Sequence, residues 1–280
     1  MFPAAPAFAL ALAGCAALPE PAMSPADSLA AAETEFAAHS LREGMRAAFM
    51  SHFAEDGVTV RDGWIVSNTY LATRPNPPIV LDWRPVHVEV AGSGDFGLST
   101  GPSKITSTAK PDAPPSYGQF VSIWKREPGR PWRVAVDLGI SHPGAALWDA
   151  PLRATKCSGS VNAGPIESAE NGFVREARER GLVSAYSRHA ATDLRLYLPG
   201  ATPALDRTQA LARELPDARG WAWVTERSDV ARSGDFGYTR GRYASAATPD
   251  KPLGYFLRVW RYEAPAWRIV LDVVNPAPAK

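Results

Sequence analysis

Ser93-Gly94-Asp95-Phe96-Gly97 is followed by Phe120-Val121-Ser122-Ile123-Trp124 and then by Trp132-Arg133-Val134-Ala135-Val136-Asp137. The chain then repeats the block in the same order: Ser233-Gly234-Asp235-Phe236-Gly237, Phe256-Leu257-Arg258-Val259-Trp260 and Trp267-Arg268-Ile269-Val270-Leu271-Asp272. A block this long that recurs once means two copies of one globular domain, not a solenoid of short repeats. Every functional question therefore divides into what both copies share and what one copy has alone.

Working outward, Asp235 follows Asp95 by 140 residues, Trp260 follows Trp124 by 136, and Asp272 follows Asp137 by 135. Small insertions therefore fall between elements rather than within them. The first copy is expected over 26–142 and the second over 162–280. Between them, 143–161 contains Pro, Gly and Ser without a sustained period and reads as a linker. The 280 residues suit two domains of roughly 100 to 150 residues each.

Each copy opens on helical spacing. Leu29, Ala32, Phe36 and Ala37 recur at three and four residues, and Met45, Phe49 and Phe53 resume the pattern after Gly44. Phe173 and Ala177 before Gly181, then Leu182, Ala185 and Tyr186 after it, do the same in the second copy. The two alignments pair Glu33 with Glu170, Phe49 with Tyr186 and His52 with His189. A third, short helix is predicted at Asp206 to Leu215 with Asp206 as its cap. The remainder reads as strands. Trp83 to Val90 carries Val86, Val88 and Val90 on one side, and a hairpin joins Tyr117–Arg126 to Trp132–Leu138 across Pro128-Gly129. Tyr255–Tyr262 and Trp267–Val273 repeat that hairpin. Helices followed by an antiparallel meander give an α+β class.

Charge is balanced, with 30 Lys plus Arg against 29 Asp plus Glu. No field draws this chain onto nucleic acid or acidic lipid, so no nucleic-acid partner is expected. The nine Trp fall partly inside the repeated blocks, where large rings fill a core or line a pocket.

The N-terminus stands apart from the fold. Residues 2–18 are mostly Ala, Leu, Phe, Pro and Gly, too short a run for a membrane span of about 20 residues and broken early by Pro3 and Pro6. It reads as an export signal, with 1–25 excluded from the domains. Leu12-Ala13-Gly14-Cys15 resembles the bacterial lipobox, which implies cleavage before Cys15, acylation of that residue, and a lipid-anchored location facing the periplasm. The pattern departs from a signal in one respect: no Lys or Arg precedes Cys15, where the first segment is normally basic. With Cys15 acylated, Cys157 is the remaining cysteine and no internal disulfide forms. Cys157 is expected as an exposed thiol or an intermolecular partner, not as a nucleophile.

The helix pair, the Ser-Gly-Asp-Phe-Gly hairpin, and Trp ahead of Trp-Arg-Ile-Val-Leu-Asp together resemble the SnoaL-like and ketosteroid-isomerase-like group of the nuclear transport factor two-like superfamily. The resemblance covers most of both copies and implies two tandem cone-shaped domains, each a curved, mainly antiparallel sheet wrapped round N-terminal helices with a pocket between. That group includes isomerases, cyclases, dehydratases and binding modules, so the fold leaves the function open. Steroid-type isomerisation needs a carboxylate base with a neutral acid and a Tyr. The first copy has no Tyr in its opening helices, and Tyr186 replaces Phe49 in the second as a packing residue, so none of that enzyme's residues is carried over.

Candidate site residues come from the repeated strands. Asp137 and Asp272 are either general bases in an apolar cavity or structural carboxylates paired with Arg133 or a backbone amide. Strict alternation puts Trp132, Val134, Val136 and Leu138 on one face and Arg133, Ala135 and Asp137 on the other. Trp124, Trp260, Trp83 and Trp223 are candidate pocket walls. Arg258, where the first copy has Ser122, either holds an anionic group beside aromatic rings or packs its stem on Trp and faces solvent. His52 and His189, with Asp56 and Asp193 four residues on, are too few to bind zinc, and neither a metal nor another cofactor is expected. Asp95 and Asp235 are read as turn residues folding onto their own backbone.

Three functions remain: a ligand-binding envelope module, a small-molecule isomerase or dehydratase using an Asp base, and a structural protein. The third would reproduce, within one chain, the dimer that single-domain relatives form, and the two domains are expected to pack on each other as such a pseudo-dimer. The binding module with an unidentified small molecule is preferred over catalysis, and Ser122 against Arg258, with Val86 and Val88 against Glu226 and Ser228, marks where two pockets diverge.

Overall fold

The computed structural model describes residues 23–159 and 163–277. The proposed lipidation site, Cys15, lies outside them. Two α-helices open the first half: α1, Pro25–Glu43, and α2, Met45–His52. Ser24 accepts the Asp27 amide at 3.1 Å and Pro25 starts the helix, so the first turn is capped and pre-set. Gly44, at φ +88°, ends α1 and swings the chain into α2. Then come β1, Phe53–Val60, β2, Trp64–Val66, α3, Ser67–Ala72, β3, Ile79–Trp83, β4, His87–Val90, β5, Phe96–Ser107, β6, Ser116–Lys125, β7, Arg133–His142, and β8, Arg153–Lys156. The second half runs α4, Ile166–Arg180, α5, Leu182–His189, β9, Ala190–Tyr197, α6, Arg207–Leu211, β10, Trp221–Val230, β11, Phe236–Ser245, β12, Pro252–Glu263, and β13, Ala266–Pro276. Asp206 caps α6 by accepting the Gln209 amide at 2.7 Å, as expected, although the helix stops earlier than its pattern.

The class is α+β, and the sheets are mixed. The first is ordered β2-β1-β7-β6-β5-β4-β8, with β3 also on β5; the second is β10-β11-β12-β13-β9. The meanders are antiparallel as expected, but β1 runs parallel to β7 and β9 parallel to β13. The sequence reading missed β1 and β9, because each follows a helix without a turn signal. The segment expected as a linker, 143–161, also contributes to the first sheet. Its β8 pairs parallel with β4 and so covers backbone groups that β4 would otherwise leave unpaired.

Helices pack on one face of each sheet and form two cores, one holding Leu29, Phe36, Trp83 and Trp124, the other Phe173, Tyr186, Trp260 and Ile269. A third core lies between the sheets and joins Phe96, Leu98, Val121 and Ile123 to Phe236, Tyr238, Leu257 and Val259. Phe96 and Phe236, the repeated motif's own aromatics, meet there edge to face at 6.2 Å.

The motif turns also meet. Ser93 and Ser233 exchange bonds, each amide donating to the other's Oγ at 3.0 and 3.1 Å, with the two hydroxyls 2.9 Å apart. Gly94 and Gly234, at φ +70° and +73°, make the tight turns that bring them there. Asp95 and Asp235 hold the hydroxyls, and neither acts only on its own turn as expected. Asp95 pairs with Arg232 at 2.7 Å, and Asp235 accepts the Gly92 and Gly159 amides at 3.0 and 3.2 Å.

Candidate functional site

The last strands set the site, and they break strict alternation. Ile123 faces Val136 but Trp124 faces Val134, so Ala135 is an extra residue; Val270 is extra in the same way between Leu271 and Ile269. The bulge reverses the faces downstream. Trp132 and Val134 belong to the core under the helices, whereas Val136 and Leu138 belong to the core between the sheets. Asp137 therefore lies on the same helix-facing side as Trp124 and Val134, not opposite them. Alternation over Trp132–Leu138 failed for this reason.

In the first half, Glu33 projects from the buried stripe of α1. It accepts Trp83 Nε1 on one oxygen and Trp124 Nε1 on the other, both at 2.7 Å. Burial raises its pKa against the pull of those two donors. Asp137 accepts from Ser122 Oγ at 2.9 Å. Burial, reinforced by the nearby Glu33 charge, pushes its carboxyl up to about 8. Arg133 is not its partner, since that guanidinium donates to the Ser51 carbonyl.

Asp137 opens onto a cavity of about 270 Å³ whose walls include Phe49, Trp83, Phe120 and Ile140, with exposed Arg61 also lining it. Asn275 from β13 reaches the same cavity and donates to the Gly139 carbonyl at 3.2 Å, so the second half contributes to the wall.

The second half places the same residue types differently. Arg258 is fully buried, which overturns a solvent-facing reading. Its Nε donates to Asp272 at 2.7 Å, its Nη1 donates to Glu170, and its guanidinium lies over Phe173, Phe256 and Trp223 at 4.1, 4.4 and 4.6 Å. Tyr186 is not merely packing. Its hydroxyl donates to Asp272 at 2.8 Å. Trp260 reaches Glu170 through Thr239, at 3.0 and then 2.7 Å. Burial pushes both carboxyls up, opposed by Arg258, whose own pKa the two carboxyls hold high against burial. Asp272 is wholly buried, its Oδ2 held by Arg258 Nε and the Tyr186 hydroxyl, and, unlike Asp137, it lines none of the described cavities. Trp223 stands half-buried over Arg258, its Nε1 without a partner among the described residues.

The carboxylates that anchor both arrangements, Glu33 and Glu170, were aligned from the sequence but not singled out. The signal was there: Glu33 falls on the buried stripe with Leu29, Phe36 and Ala37.

The other candidates take no part. A larger open groove of about 750 Å³ lies between the halves, where Lys125 and Asp229 already pair at 2.8 Å. His52 stacks on Phe36 and contacts His39 at 3.2 Å, and burial lowers its pKa to about 4. Asp193 pairs with Arg261. No metal-binding group of His, Cys, Asp and Glu occurs among the described residues. Cys157 is not an exposed thiol: it is partly buried against the core between the sheets, 3.5 Å from Glu89, and burial pushes its thiol pKa up, away from reactivity.

Comparison with known proteins adds the following. No family model matches the chain, and no curated protein matches it. Solved structures are similar to part of it. An NTF-2 like protein of unknown function from Shewanella oneidensis is 21% identical over 39% of this chain and 94% of its own, with a TM-score of 0.32. A ketosteroid isomerase-like protein from Erwinia carotovora atroseptica is 16% identical over 41% and 95%, at 0.32. An NTF2-like protein from Cytophaga hutchinsonii is 14% identical over 40% and 94%, at 0.30. Each covers less than half of this chain.

Proposed function

We propose that this is a tandem SnoaL-like protein whose first half binds a small ligand in the cavity beside Asp137, while its second half is a filled, structural counterpart. One observation carries the reading: of two matched carboxylates, Asp137 opens onto an apolar cavity and Asp272 is closed off by Arg258. A few polar groups converging in a mostly apolar concavity are what a small-molecule site needs. The reciprocal bonds of Ser93 and Ser233 and the core between the sheets support an intramolecular pseudo-dimer.

A thermal-shift screen of small fragments tests the binding. We expect hits that stabilise the wild type but not Ser141→Trp, whose exposed position lines the cavity and whose indole would obstruct it. A screen without hits, or hits indifferent to Ser141→Trp, would overturn the proposal.

Proton transfer is the second reading, favoured by the position of the Asp137 pKa, about 8, where a carboxyl exchanges protons at neutral pH. The cellular setting we propose is the envelope, with acylation at Cys15 following Leu12-Ala13-Gly14. Mass spectrometry of the mature N-terminus decides it: a chain retaining Met1 would end the lipoprotein assignment.

A further inference from the structure

The second half carries, covalently attached, an occupant for its own inner face. The Arg258 guanidinium fits between Glu170 and Asp272 and against the rings of Phe173, Trp223 and Phe256. The first half keeps the counterpart of each of these walls, namely Glu33, Asp137, Phe36, Trp83 and Phe120, and puts Ser122 where the arginine stands. Two of the replaced contacts are made good internally: Trp83 and Trp124 donate to Glu33, and Ser122 donates to one oxygen of Asp137. What is not replaced is the charged N–H donor at Asp137, and that is the carboxylate that meets the cavity.

Resting on the reading that this cavity holds a small ligand, we infer that the ligand is an organic cation with a planar N–H face, a guanidinium or amidinium on a compact apolar body. Its N–H groups face Asp137, as Arg258 Nε faces Asp272, and its apolar body lies against the Trp83 and Phe120 rings. Planar cations suit this setting because they pair with carboxylates through directed N–H bonds and stack on aromatic faces. The charged groups around Asp137 agree. Glu33 approaches from α1 and adds negative potential; Arg61, following β1, is the one cation among the described lining residues and is exposed, where water and salt screen it. Without ligand, Asp137 is mostly protonated at pH 7, so a bound cation draws out its ionised form and expels a proton.

Calorimetric titration of the full chain at pH 7 with benzamidine, benzamide and benzoate tests this. Benzamidine is expected to bind at least about tenfold tighter than benzamide, a difference of about 1.4 kcal/mol, with benzoate weakest. Its heat should vary with the buffer's ionisation enthalpy in proportion to roughly one proton released per ligand. Asp137→Asn, which keeps the side-chain shape, should remove the preference for benzamidine while leaving benzamide binding. Ser122→Arg should abolish benzamidine binding by placing the cation internally; if that variant does not fold, Asp137→Asn still decides. Benzamide binding as tightly as benzamidine, or a preference that survives Asp137→Asn, would overturn the cation and leave the ligand-binding cavity standing. Failure of all three probes to bind would overturn the cation, and a fragment screen that also returns no hits would overturn the cavity reading with it.

Discussion

Arg258 and Ser122 are one position in two settings, and the polar atoms around each have rearranged to match. Around Arg258, two carboxylates and a guanidinium share a space closed to bulk solvent, so the arginine stabilises chiefly by cancelling charge that is already buried. Arg258→Met should cost about 3–5 kcal/mol in urea unfolding at pH 7. The loss should shrink as pH falls, because the carboxyls of Glu170 and Asp272, raised by burial, take up protons and leave less buried charge for the arginine to cancel. A loss that does not change with pH would contradict the account. Asp137 offers the complementary test. Its folded pKa, about 8, lies above the ordinary aspartate value of about 3.9, so the folded state holds its proton more tightly. Its stabilising contribution is complete below the unfolded pKa and is lost as pH climbs to the folded one. Asp137→Asn should therefore match the wild type in melting temperature near pH 4. It should gain on it progressively up to about pH 8 and hold a constant lead beyond; a lead already present at pH 4 would refute the assignment.

At the scale of the element, the repeated hairpins were readable because Trp, Phe and branched residues alternate between turn signals, and the helix pairs because their apolar residues recur at three and four. The bulges at Ala135 and Val270 were not readable, since an extra residue in a strand leaves no mark in composition. They decide which side Asp137 takes, so the residue was legible and its direction was not. Contacts between the two copies were equally hidden. Nothing in Ser-Gly-Asp-Phe-Gly announces that its serine bonds the serine of the second copy. Ser93→Ala and Ser233→Ala should each cost about 1–2 kcal/mol, and the double variant should cost clearly less than their sum, because each removes the other's partner. Strict additivity in denaturant unfolding would mean that the two turns do not act together.

For the whole molecule, the core between the sheets makes the two halves share their burial. Phe236 is fully buried there against Phe96 and Tyr238 is set beside them. Phe236→Ala should cost about 3–5 kcal/mol. It should also lower the unfolding of both halves together, followed by tryptophan fluorescence and by circular dichroism; two transitions responding separately would count against a shared core. The sequence alone could reveal the duplication because it compares the chain with itself, but it could not reveal which faces of the two copies were spent on each other.

The serine-to-serine contact is its own mirror across the two copies, which has a consequence for concentrated solutions. A turn that fits its copy within one chain fits the same copy in a neighbouring chain equally well, so two molecules can trade second halves without inventing a new contact. The chain's own connection keeps the internal partner at about millimolar effective concentration, so such exchanged pairs should gather only as the protein itself approaches that concentration.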